Sequence, residues 1–481
     1  MVQERENGLL KELDETKVNR FHGKAIFVAG MGFFSDAYDL FVISTALPII
    51  TSTAVFGSQI TSTFVSGMIG AAALFGAFLG AIIFGRIADK KGRKFTYGVE
   101  MSILVIFALI SAFSVNVTML IISRFILGIG IGGDYPISAT IMSEYSNVKS
   151  RGKLVLSVFA MQGFGLLAGA VVGLVSTAYL PLTESWRFML AFGAIPAASV
   201  IYLRRKILET PRFSISKGNT GLAKEAVEQA TVHGRAQIVP SAPKAPNVTS
   251  RLNRALANKY WLFLLGTAGS WFIFDMAFYG TSVNSGAVLG LIGFGSVKGN
   301  VPLSVFHIAE GNTILALAFE VPGYWIAVGL IDKAGRKLLQ WAGFSAMAII
   351  YFVFALRFTT IETDLALFVA MYGISFLVGN IGPNSTTFLL PTELFPTSIR
   401  TTSHGISAGA GKLGAGIFSF LVLTIISDYG FPVLFGLLAF LAFAGALLTI
   451  LAIKETKNMS LEQTSSLDPV MTSPMPGGSG K

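Results

Sequence analysis

Long apolar runs, separated by short polar connections, fill this sequence from residue 25 to residue 453. Runs of this length match the roughly 20 residues that an α-helix needs to cross the hydrocarbon core of a bilayer. Counting them predicts twelve spans. The predicted bounds are 25–50, 62–86, 96–114, 118–143, 153–181, 186–208, 259–284, 309–331, 338–358, 364–391, 402–427 and 430–453. The pattern therefore predicts an all-α membrane protein with twelve transmembrane helices.

The composition agrees with this prediction. Hydrophobic residues make up 53% of the 481 residues and charged residues only 13%, whereas a soluble protein carries about 25% charged residues. The chain has no cysteine, which excludes disulfides and thiol chemistry. Residues 1–24 are polar and the first apolar run is long enough to span a membrane, so a cleavable signal peptide is not expected.

The net charge of +10 is concentrated in the connections on one side of the predicted membrane. These include the N-terminal segment, GRIADKKGRK, KSRGK, the 209–258 loop, DKAGRK and the tail, whereas the opposite connections hold little more than Lys298 and Arg357. Basic residues remain on the cytoplasmic side of membrane proteins, so both termini are predicted to be cytoplasmic. Topology thus accounts for the charge, and no nucleic-acid partner is expected.

Three polar motifs occur twice at nearly the same spacing. D-K-K-G-R-K at 89–94 recurs as D-K-A-G-R-K at 332–337, and the pair Glu144 and Arg151 recurs as Glu393 and Arg400. Glu-Thr at 209–210 also recurs at 455–456. The repeats predict two pseudo-symmetric six-helix bundles inserted the same way up. The predicted divisions are a cytoplasmic segment 1–24, a bundle 25–208, a cytoplasmic linker 209–258, a bundle 259–454 and a cytoplasmic tail 455–481.

The charged residues of these motifs lie at the cytoplasmic ends of predicted helices. We expect them to form ion pairs that open and close as the two bundles rock, although they could also serve only as topology anchors. The predicted gating residues are Asp89, Arg93, Glu144, Arg151, Asp332, Arg336, Glu393 and Arg400.

Six polar residues fall at similar depth inside the apolar runs. Each lies 9 to 16 residues from the charged cytoplasmic end of its span, which corresponds to roughly 14–24 Å at 1.5 Å per residue. They are Asp36, Asp134, Gln162, Asp275, Asn384 and Lys412. Charged groups at this depth are costly and usually functional, so we expect them to surround a central cavity. Gln162 and Asn384 could instead only bond neighbouring helices.

Symmetry and spacing add further candidates. An offset of 249 superposes Tyr135 on Asn384, and Trp271, Asp275 and Tyr279 are four residues apart, which places them on one face of a helix. Asp39 follows Asp36 on a neighbouring face. Aromatic residues in a membrane helix often serve only in packing or at the membrane interface. Tyr135, Trp271 and Tyr279 could therefore have a structural role instead of a binding role.

The chemistry of this set favours an anion that moves with protons. Lys412 is expected to be the only cation at this depth, and the aromatic and amide side chains offer hydrogen bonds to an oxyanion. Burial and nearby negative charge favour the protonated form of a carboxylate, so Asp36, Asp134 and Asp275 are plausible proton carriers. The anion would then bind well only when a carboxylate is protonated.

Four long motifs stand out in the sequence: GGDYPISATIMSE, SWFIFDMAFYG, PGYWIAVGLIDKAGRK and GPNSTTFLLPTELFPTSIRTTSHGISAGAGKLGA. They resemble motifs of the phosphate:proton symporter family of the major facilitator superfamily. The resemblance implies the major facilitator fold, with parallel six-helix halves and a midplane site. It assigns phosphate binding to Tyr135, Gln162, Trp271, Asp275, Tyr279, Asn384 and Lys412.

The same resemblance assigns proton transfer to Asp36, Asp39 and Asp134, beside the proton role expected for Asp275. Two features depart from the family pattern. The linker 209–258 is shorter than expected, and Glu320 stands before PGYW where a small residue is expected. An additional carboxyl group there could add a protonation site.

The predicted function is therefore proton-coupled import of inorganic phosphate by alternating access across the plasma membrane. Phosphate, protons and the lipid bilayer are the expected partners, a monomer suffices, and no cofactor or metal is implied. A symporter of an organic anion or a sugar with the same fold is the alternative, and a phosphate sensor is a further one. An enzyme is not expected, because the sequence shows no metal cluster, nucleophile triad or nucleotide-binding loop.

Overall fold

The computed structural model describes residues 2–56, 59–60, 62–231, 250–298 and 300–465, and within these ranges all regular secondary structure is helical. Eleven helical segments in these ranges are long and apolar enough to cross a membrane. They are Arg20–Ile50, Thr63–Lys91, Arg93–Ala112, Val117–Tyr145, Arg151–Tyr179, Leu182–Arg204, Tyr260–Ser282, Val301–Ala334, Arg336–Ile361, Leu365–Leu394 and Arg400–Ala452. The all-α membrane prediction is confirmed.

The last of these segments is two spans joined end to end. Arg400–Ala452 has 53 residues, which would measure about 80 Å as one straight helix, well over twice the hydrocarbon thickness of a bilayer. Gly430 interrupts it with φ 80° and ψ 169°, a conformation that glycine adopts at little cost. The break divides the segment into two membrane-length parts, so the twelve predicted spans are present; they are numbered 1 to 12 in chain order below.

Several spans are interrupted inside the membrane. Span 1 consists of Arg20–Phe41 and Ile43–Ile50, and span 6 of Leu182–Phe192 and Ala194–Arg205. Spans 8 and 10 each contain a π-helical turn, at Ala316–Glu320 and Asn380–Asn384. The remaining pieces of spans 3, 8 and 10 are Arg93–Thr96, Val99–Ala112, Val301–Leu315, Val321–Ala334, Leu365–Gly379 and Ser385–Leu394. Because π-helical turns often occur at functional sites, spans 8 and 10 are natural places for one.

Shorter helices lie at the two ends of the bundle. At the end that carries the basic loops, called the basic end here, they are Val2–Glu15, Pro211–Ser216, Thr220–Ala230 and Leu461–Ser465. At the opposite end they are Thr53–Phe56 and Ser285–Leu291. The predicted linker 209–258 thus contains helical turns, and its last residues continue into span 7 as Ser250–Ser282. Linker residues 232–249 and tail residues 466–481 lie outside the described residues, and the predicted domain divisions stay predictions.

The two halves pack against each other through equivalent pairs of spans. Span 2 contacts span 11, and span 8 contacts span 5, which are the same two positions in the two repeats. Glycines bring the first pair together, since a side chain at Gly85 or Gly405 would meet the backbone of the other helix. The duplication seen in sequence is therefore also a symmetry of the packing.

Within the first half, spans 2 and 4 pack backbone to backbone. A Cβ at Gly76 or Gly80 would overlap the carbonyl oxygens of Phe125 or Ile129 on span 4. A Cβ at Gly128 or Gly132 would overlap the backbone of span 2 in the same way. Small residues allow this approach in membrane helices, where dispersion and close packing replace the hydrophobic effect as the force between helices.

We expect Gly76→Ala to destabilise the protein by about 1–3 kcal/mol, because its Cβ would displace the backbone of span 4. The measurement is the apparent unfolding temperature of the purified protein in detergent. Gly329→Ala is the matched control, since a Cβ there meets nothing within 4 Å and alanine favours the helix. An unfolding temperature for Gly76→Ala as high as that of Gly329→Ala would contradict this packing.

Candidate functional site

A buried ion pair joins spans 7 and 11 of the second half in the middle of the bundle. Lys412 Nζ, on span 11, donates a hydrogen bond of 2.9 Å to Asp275 Oδ2 on span 7, and both side chains are fully buried. The same Nζ lies 3.7 Å from the ring centroid of Tyr279 and 4.7 Å from that of Tyr135. Aromatic faces attract a desolvated cation, so the two rings and one carboxylate stabilise the buried ammonium group.

Neutral polar groups surround this pair. The Tyr135 hydroxyl donates to Gln162 Oε1 at 3.1 Å and lies 3.2 Å from the Tyr279 hydroxyl. Gln162 Nε2 donates to the Tyr279 hydroxyl at 3.2 Å. Spans 4, 5 and 7 therefore present their polar side chains at one point. This is the arrangement expected from the depth argument, and it involves both halves.

Tyr324 on span 8 completes the ring and was not among the predicted residues. Its hydroxyl accepts hydrogen bonds from Gln162 Nε2 at 2.7 Å and from Asn384 Nδ2 at 2.9 Å. Asn384 also donates to Asn380 Oδ1 at 2.7 Å within the π-helical turn of span 10. The repeat does not reveal Tyr324, because its equivalent in the first repeat, Ala81, is apolar. Its place one helical turn after Glu320 is the signal that the sequence offers.

An aromatic layer closes the site toward the basic end. The rings of Phe159 and Phe388 stack at 4.3 Å with an interplanar angle of 12°, and Phe33 meets Phe388 edge-on at 5.1 Å. Trp271 lies behind this layer, with its ring 6.2 Å from that of Tyr135 and 6.4 Å from that of Phe388. The layer separates the polar ring from the charged networks at the basic end.

The structure holds Asp134 in a second buried ion pair. Arg204 Nη1 and Nη2, on span 6, donate to the two carboxylate oxygens of Asp134 at 2.9 and 2.7 Å. Arg204 Nη1 also donates to Glu100 Oε1 at 2.8 Å, and Ser138 Oγ donates to Asp134 at 2.5 Å. The expectation that Lys412 is the only cation at this depth is therefore wrong. Arg204 lies near the end of a predicted span, and its long side chain reaches inward from there.

Asp36 lies between the two ion pairs. Its electrostatic neighbours are Asp134, Arg204 and Asp39, and it also acts on Lys412. Neither carboxylate oxygen of Asp36 accepts a hydrogen bond within the described ranges, and both are buried. Among the described residues, neither Asp36 nor Asp39 has an ion-pair partner within 4 Å, whereas Asp134 does.

Asp39 faces a third cation. Arg124, on span 4, is the charged group that most affects Asp39, and Arg124 Nη2 donates to the Asp39 backbone carbonyl at 3.3 Å. Both side chains are buried. The four predicted proton-coupling residues therefore lie in three different charge environments, beside Lys412, Arg204 and Arg124, with Asp36 linking the first two.

The eight predicted gating residues form two equivalent four-residue networks at the basic end. Within the halves, Arg93 contacts Asp89 and Glu144 at 3.2 Å, and Arg336 contacts Asp332 and Glu393 at 2.9 Å. Across the halves, Arg400 Nη1 lies 2.8 Å from Glu144, and Arg151 Nη1 lies 3.8 Å from Glu393. The two copies of the motif thus form equivalent bridges, and their gating role stays a prediction.

Two aspartates of these networks also cap helices of the opposite half. Asp89 accepts hydrogen bonds from the backbone N–H groups of Thr401 and Thr402 at the start of span 11. Asp332 accepts them from Gly152 and Lys153 at the start of span 5. A carboxylate at a helix N-terminus satisfies free N–H groups and complements the helix dipole. The caps therefore join the halves at the basic end.

The N-terminal helix, the linker and the tail converge on one arginine. Arg212 contacts Asp14 at 2.8 Å and Glu462 at 3.0 Å, and it donates to the Glu144 carbonyl at 2.8 Å. Burial disfavours the ionised form of Glu462, but Arg212 overrides it and lowers the pKa of Glu462 to about 2. The tail contact therefore remains charged well below neutral pH.

No group of three or more Asp, Glu or His side chains in the described part of the chain is placed to hold a metal ion. The polar ring instead contains one cation, one carboxylate and several neutral donors. Such a site suits reversible binding of a small oxyanion.

We expect Arg204→Met to destabilise the protein by roughly 3–5 kcal/mol, because Asp134 and Glu100 would remain buried without their common cation. The apparent unfolding temperature in detergent measures the effect. Lys206→Met, two residues away and exposed, is the control and should leave that temperature nearly unchanged. Equal unfolding temperatures for the two variants would show that Arg204 is not needed to balance these carboxylates.

Comparison with known proteins identifies the family. The family model described as "Sugar (and other) transporter" matches residues 25–467. The chain is 37% identical to inorganic phosphate transporter 1-4 of Arabidopsis thaliana, over 95% of each protein. It is 38% identical to low affinity inorganic phosphate transporter 1 of Petunia hybrida, also over 95% of each.

Solved structures show the same fold at lower identity. The proton:xylose symporter XylE bound to 6-bromo-6-deoxy-D-glucose superposes with a TM-score of 0.75 at 20% identity, covering 93% of this chain and 98% of that one. The inward open xylose transporter XylE from E. coli gives 0.63 at 21% identity, covering 92% and 99%. This confirms the predicted major facilitator fold. The chain therefore belongs to the sugar and other transporter family of the major facilitator superfamily, and its sequence is similar to those of plant inorganic phosphate transporters.

Proposed function

We propose that this protein is a proton-coupled symporter that imports inorganic phosphate across the plasma membrane by alternating access. The observation that carries the proposal is the buried Lys412, held by one carboxylate and surrounded by neutral hydrogen-bonding groups from both halves. Two plant relatives of similar length are named as inorganic phosphate transporters. Transport, not catalysis, is the activity proposed, and one chain contains the whole site.

Dihydrogen phosphate suits this ring because it can both accept and donate hydrogen bonds. Lys412 would supply the positive charge, while Tyr135, Tyr279 and the amides of Gln162 and Asn384 would bond the phosphate oxygens and hydroxyls. Trp271 would form part of the wall of the site, beside Tyr135. A sugar would not need Lys412, so the buried ammonium group favours an anion over the sugar alternative.

The Lys412–Asp275 pair provides a simple rule for coupling. While Asp275 is ionised, it forms an ion pair with Lys412 and would repel an incoming anion. A proton on Asp275 removes that negative charge and frees Lys412 to bind phosphate. Loss of the proton on the other side restores the pair and expels the anion. One proton with one dihydrogen phosphate makes the step electroneutral, and each additional proton would add about 2.3 kcal/mol per 100 mV.

Asp36 is the second proposed proton carrier. It lies within electrostatic range of Lys412 on one side and of the Asp134–Arg204 pair on the other. A proton on Asp36 would leave that region closer to neutral, because Arg204 already faces two carboxylates, Asp134 and Glu100. Asp134 is then proposed to keep Arg204 in place and to influence Asp36, while Arg124 is the charged group that acts on Asp39.

The two networks at the basic end are proposed to form the cytoplasmic gate. Their bridges and helix caps join the halves in this conformation, while the aromatic layer separates them from the site. Opening toward the cytoplasm would exchange these buried contacts for water. With the basic end cytoplasmic, both chain termini are proposed to lie in the cytoplasm.

The first test is uptake of radiolabelled phosphate into proteoliposomes with an inward proton gradient. Asp275→Asn and Lys412→Ala should each lower uptake roughly tenfold or more, since a hydrogen bond to a charged group contributes about 1.5–3 kcal/mol and 1.4 kcal/mol is tenfold. Asp428→Asn and Lys298→Ala, at exposed positions, are the matched controls. If both site variants retain gradient-driven phosphate uptake, the binding site must lie elsewhere. If the wild-type protein takes up another anion but not phosphate, the proposed substrate is wrong.

The gate is tested by the accessibility of a single cysteine, which is possible because the chain has none. Ser403→Cys is buried at the basic end and should react slowly with a membrane-impermeant maleimide applied from that side. Adding Glu144→Gln removes the negative charge shared by Arg93 and Arg400 and should speed the reaction about threefold or more, as open conformers become populated. Glu225→Gln, at an exposed position on a linker helix, should not speed the reaction. Equal labelling rates for the Glu144→Gln and Glu225→Gln variants would argue against this gate.

A further inference from the structure

A small cavity lies between the two halves on the side of the polar ring away from the basic end. It is lined by Phe41, Ser44, Ser282, Ser285, Asn312 and Glu320, with further apolar contacts. The ring of Phe41 stacks on that of Tyr279 at 5.2 Å, so one aromatic layer separates the cavity from Lys412. The cavity is therefore next to the proposed phosphate site but distinct from it.

Glu320 is the acidic group of this cavity. It ends the π-helical turn of span 8 and is one helical turn from Tyr324. Its backbone carbonyl accepts a hydrogen bond from Asn380 Nδ2 at 3.3 Å, but its carboxylate has no hydrogen bond or ion pair within the described ranges. The residue is 3% exposed. Three other buried acids of the site region, Asp275, Asp134 and Glu100, each contact a cation.

Among the described residues, no cation on the helices that pack against its turn lies close to Glu320. Tyr324 on span 8 and Tyr372 on span 10 are the titratable groups near it. The ionisable residues of span 5 lie near its two ends, at Arg151, Lys153 and Tyr179. On span 8, His307 and Glu310 precede it by 10 or more residues, and Asp332 and Lys333 follow it by 12 or more, about 15 Å or more along the helix.

Contacts between the halves cover this cavity. Asn312 Nδ2, on span 8, donates to Ser44 Oγ at 3.4 Å and to Thr45 Oγ1 at 3.3 Å on span 1. Ser285 Oγ donates to Asn312 Oδ1 at 2.8 Å and so holds that amide in place. Ser282 Oγ is buried there with no hydrogen-bond partner within the described ranges. In this conformation the end opposite the basic loops is thus closed over Glu320.

We propose that Glu320 is an additional proton-binding site, beside Asp275 and Asp36, and that this end of the transporter closes only after Glu320 has taken up a proton from the medium on that side. The step is protonation of one carboxylate oxygen, with the proton supplied by water or hydronium in the open cavity. It rests on the proposed function, because it adds a proton requirement to the occlusion of the same transport site.

The physical reason is the cost of burying an unpaired charge. An ionised Glu320 is stable while the cavity is open and hydrated, but closure would remove that water without supplying a cation. The neutral acid removes most of this cost and can also donate a hydrogen bond, for which Ser282 Oγ is an unoccupied acceptor on the same cavity. Acidic medium on this side therefore favours the closed state and alkaline medium the open one.

The experiment uses Ser282→Cys as a reporter in the cysteine-free chain, labelled by a membrane-impermeant maleimide from the side opposite the basic loops. Rates are divided by those of Ser296→Cys, which is exposed on a loop of that side, to remove the effect of pH on the thiol itself. With Glu320 present, the normalised rate should rise about threefold or more between pH ~5.5 and ~8, as the open population grows. Glu320→Gln should keep it low at both pH values, whereas Glu310→Gln, an exposed control, should retain the rise.

An unchanged pH dependence in Glu320→Gln would overturn the proposal. So would protection of the reporter at alkaline pH by sodium but not by choline, because the cavity would then bind a metal cation instead of a proton. The labelling needs no phosphate, so its outcome is independent of the uptake assay. If the wild-type protein takes up no phosphate but its labelling still depends on pH, the proposed substrate is refuted and the proposed role of Glu320 is unaffected.

Discussion

The central constraint on this protein is that a charge buried in the membrane must be compensated within the protein. Asp275 and two tyrosine rings compensate the charge of Lys412, and Asp134 and Glu100 compensate the charge of Arg204. Each of these charges would be very costly alone. The same constraint allows these ion pairs to couple transport to protons. When a proton neutralises a carboxylate or an anion binds, the buried cation exchanges one partner for another. Coupling then follows from charge balance at a few atoms.

Duplication provides the framework that places these charges. Equivalent spans, 2 with 11 and 5 with 8, join the halves, and equivalent aspartates cap the opposite helices at the basic end. A site between such halves has contributions from both, so a rocking motion exposes it to either side in turn. The symmetry is not carried into the site chemistry. Lys412 in one half corresponds to the neutral Gln162 in the other, and this asymmetry gives the ring the cation that pairs with Asp275.

Glu320 shows how one additional charge can change such a framework. It occupies a π-helical turn between the site and the end opposite the basic loops, and no cation balances it within the described ranges. Asp275, Asp134 and Glu100 each contact a lysine or an arginine, whereas Glu320 depends on water or on a proton. A transporter with this residue acquires a link between closure and pH that is separate from the Lys412–Asp275 pair.

The sequence by itself determined the spans, the duplication and the family, because hydrophobic length and repeated motifs are local properties that the membrane enforces. It also placed most of the polar ring, since depth along a helix follows from residue count. Only the tertiary structure decided which charges meet. Arg204 reaches Asp134 from the end of span 6, and Tyr324 joins Gln162 to Asn384, although neither has a polar equivalent in the other repeat to reveal it. Rotation of each helix and the reach of long side chains determine these contacts, and both depend on packing between spans far apart in the chain.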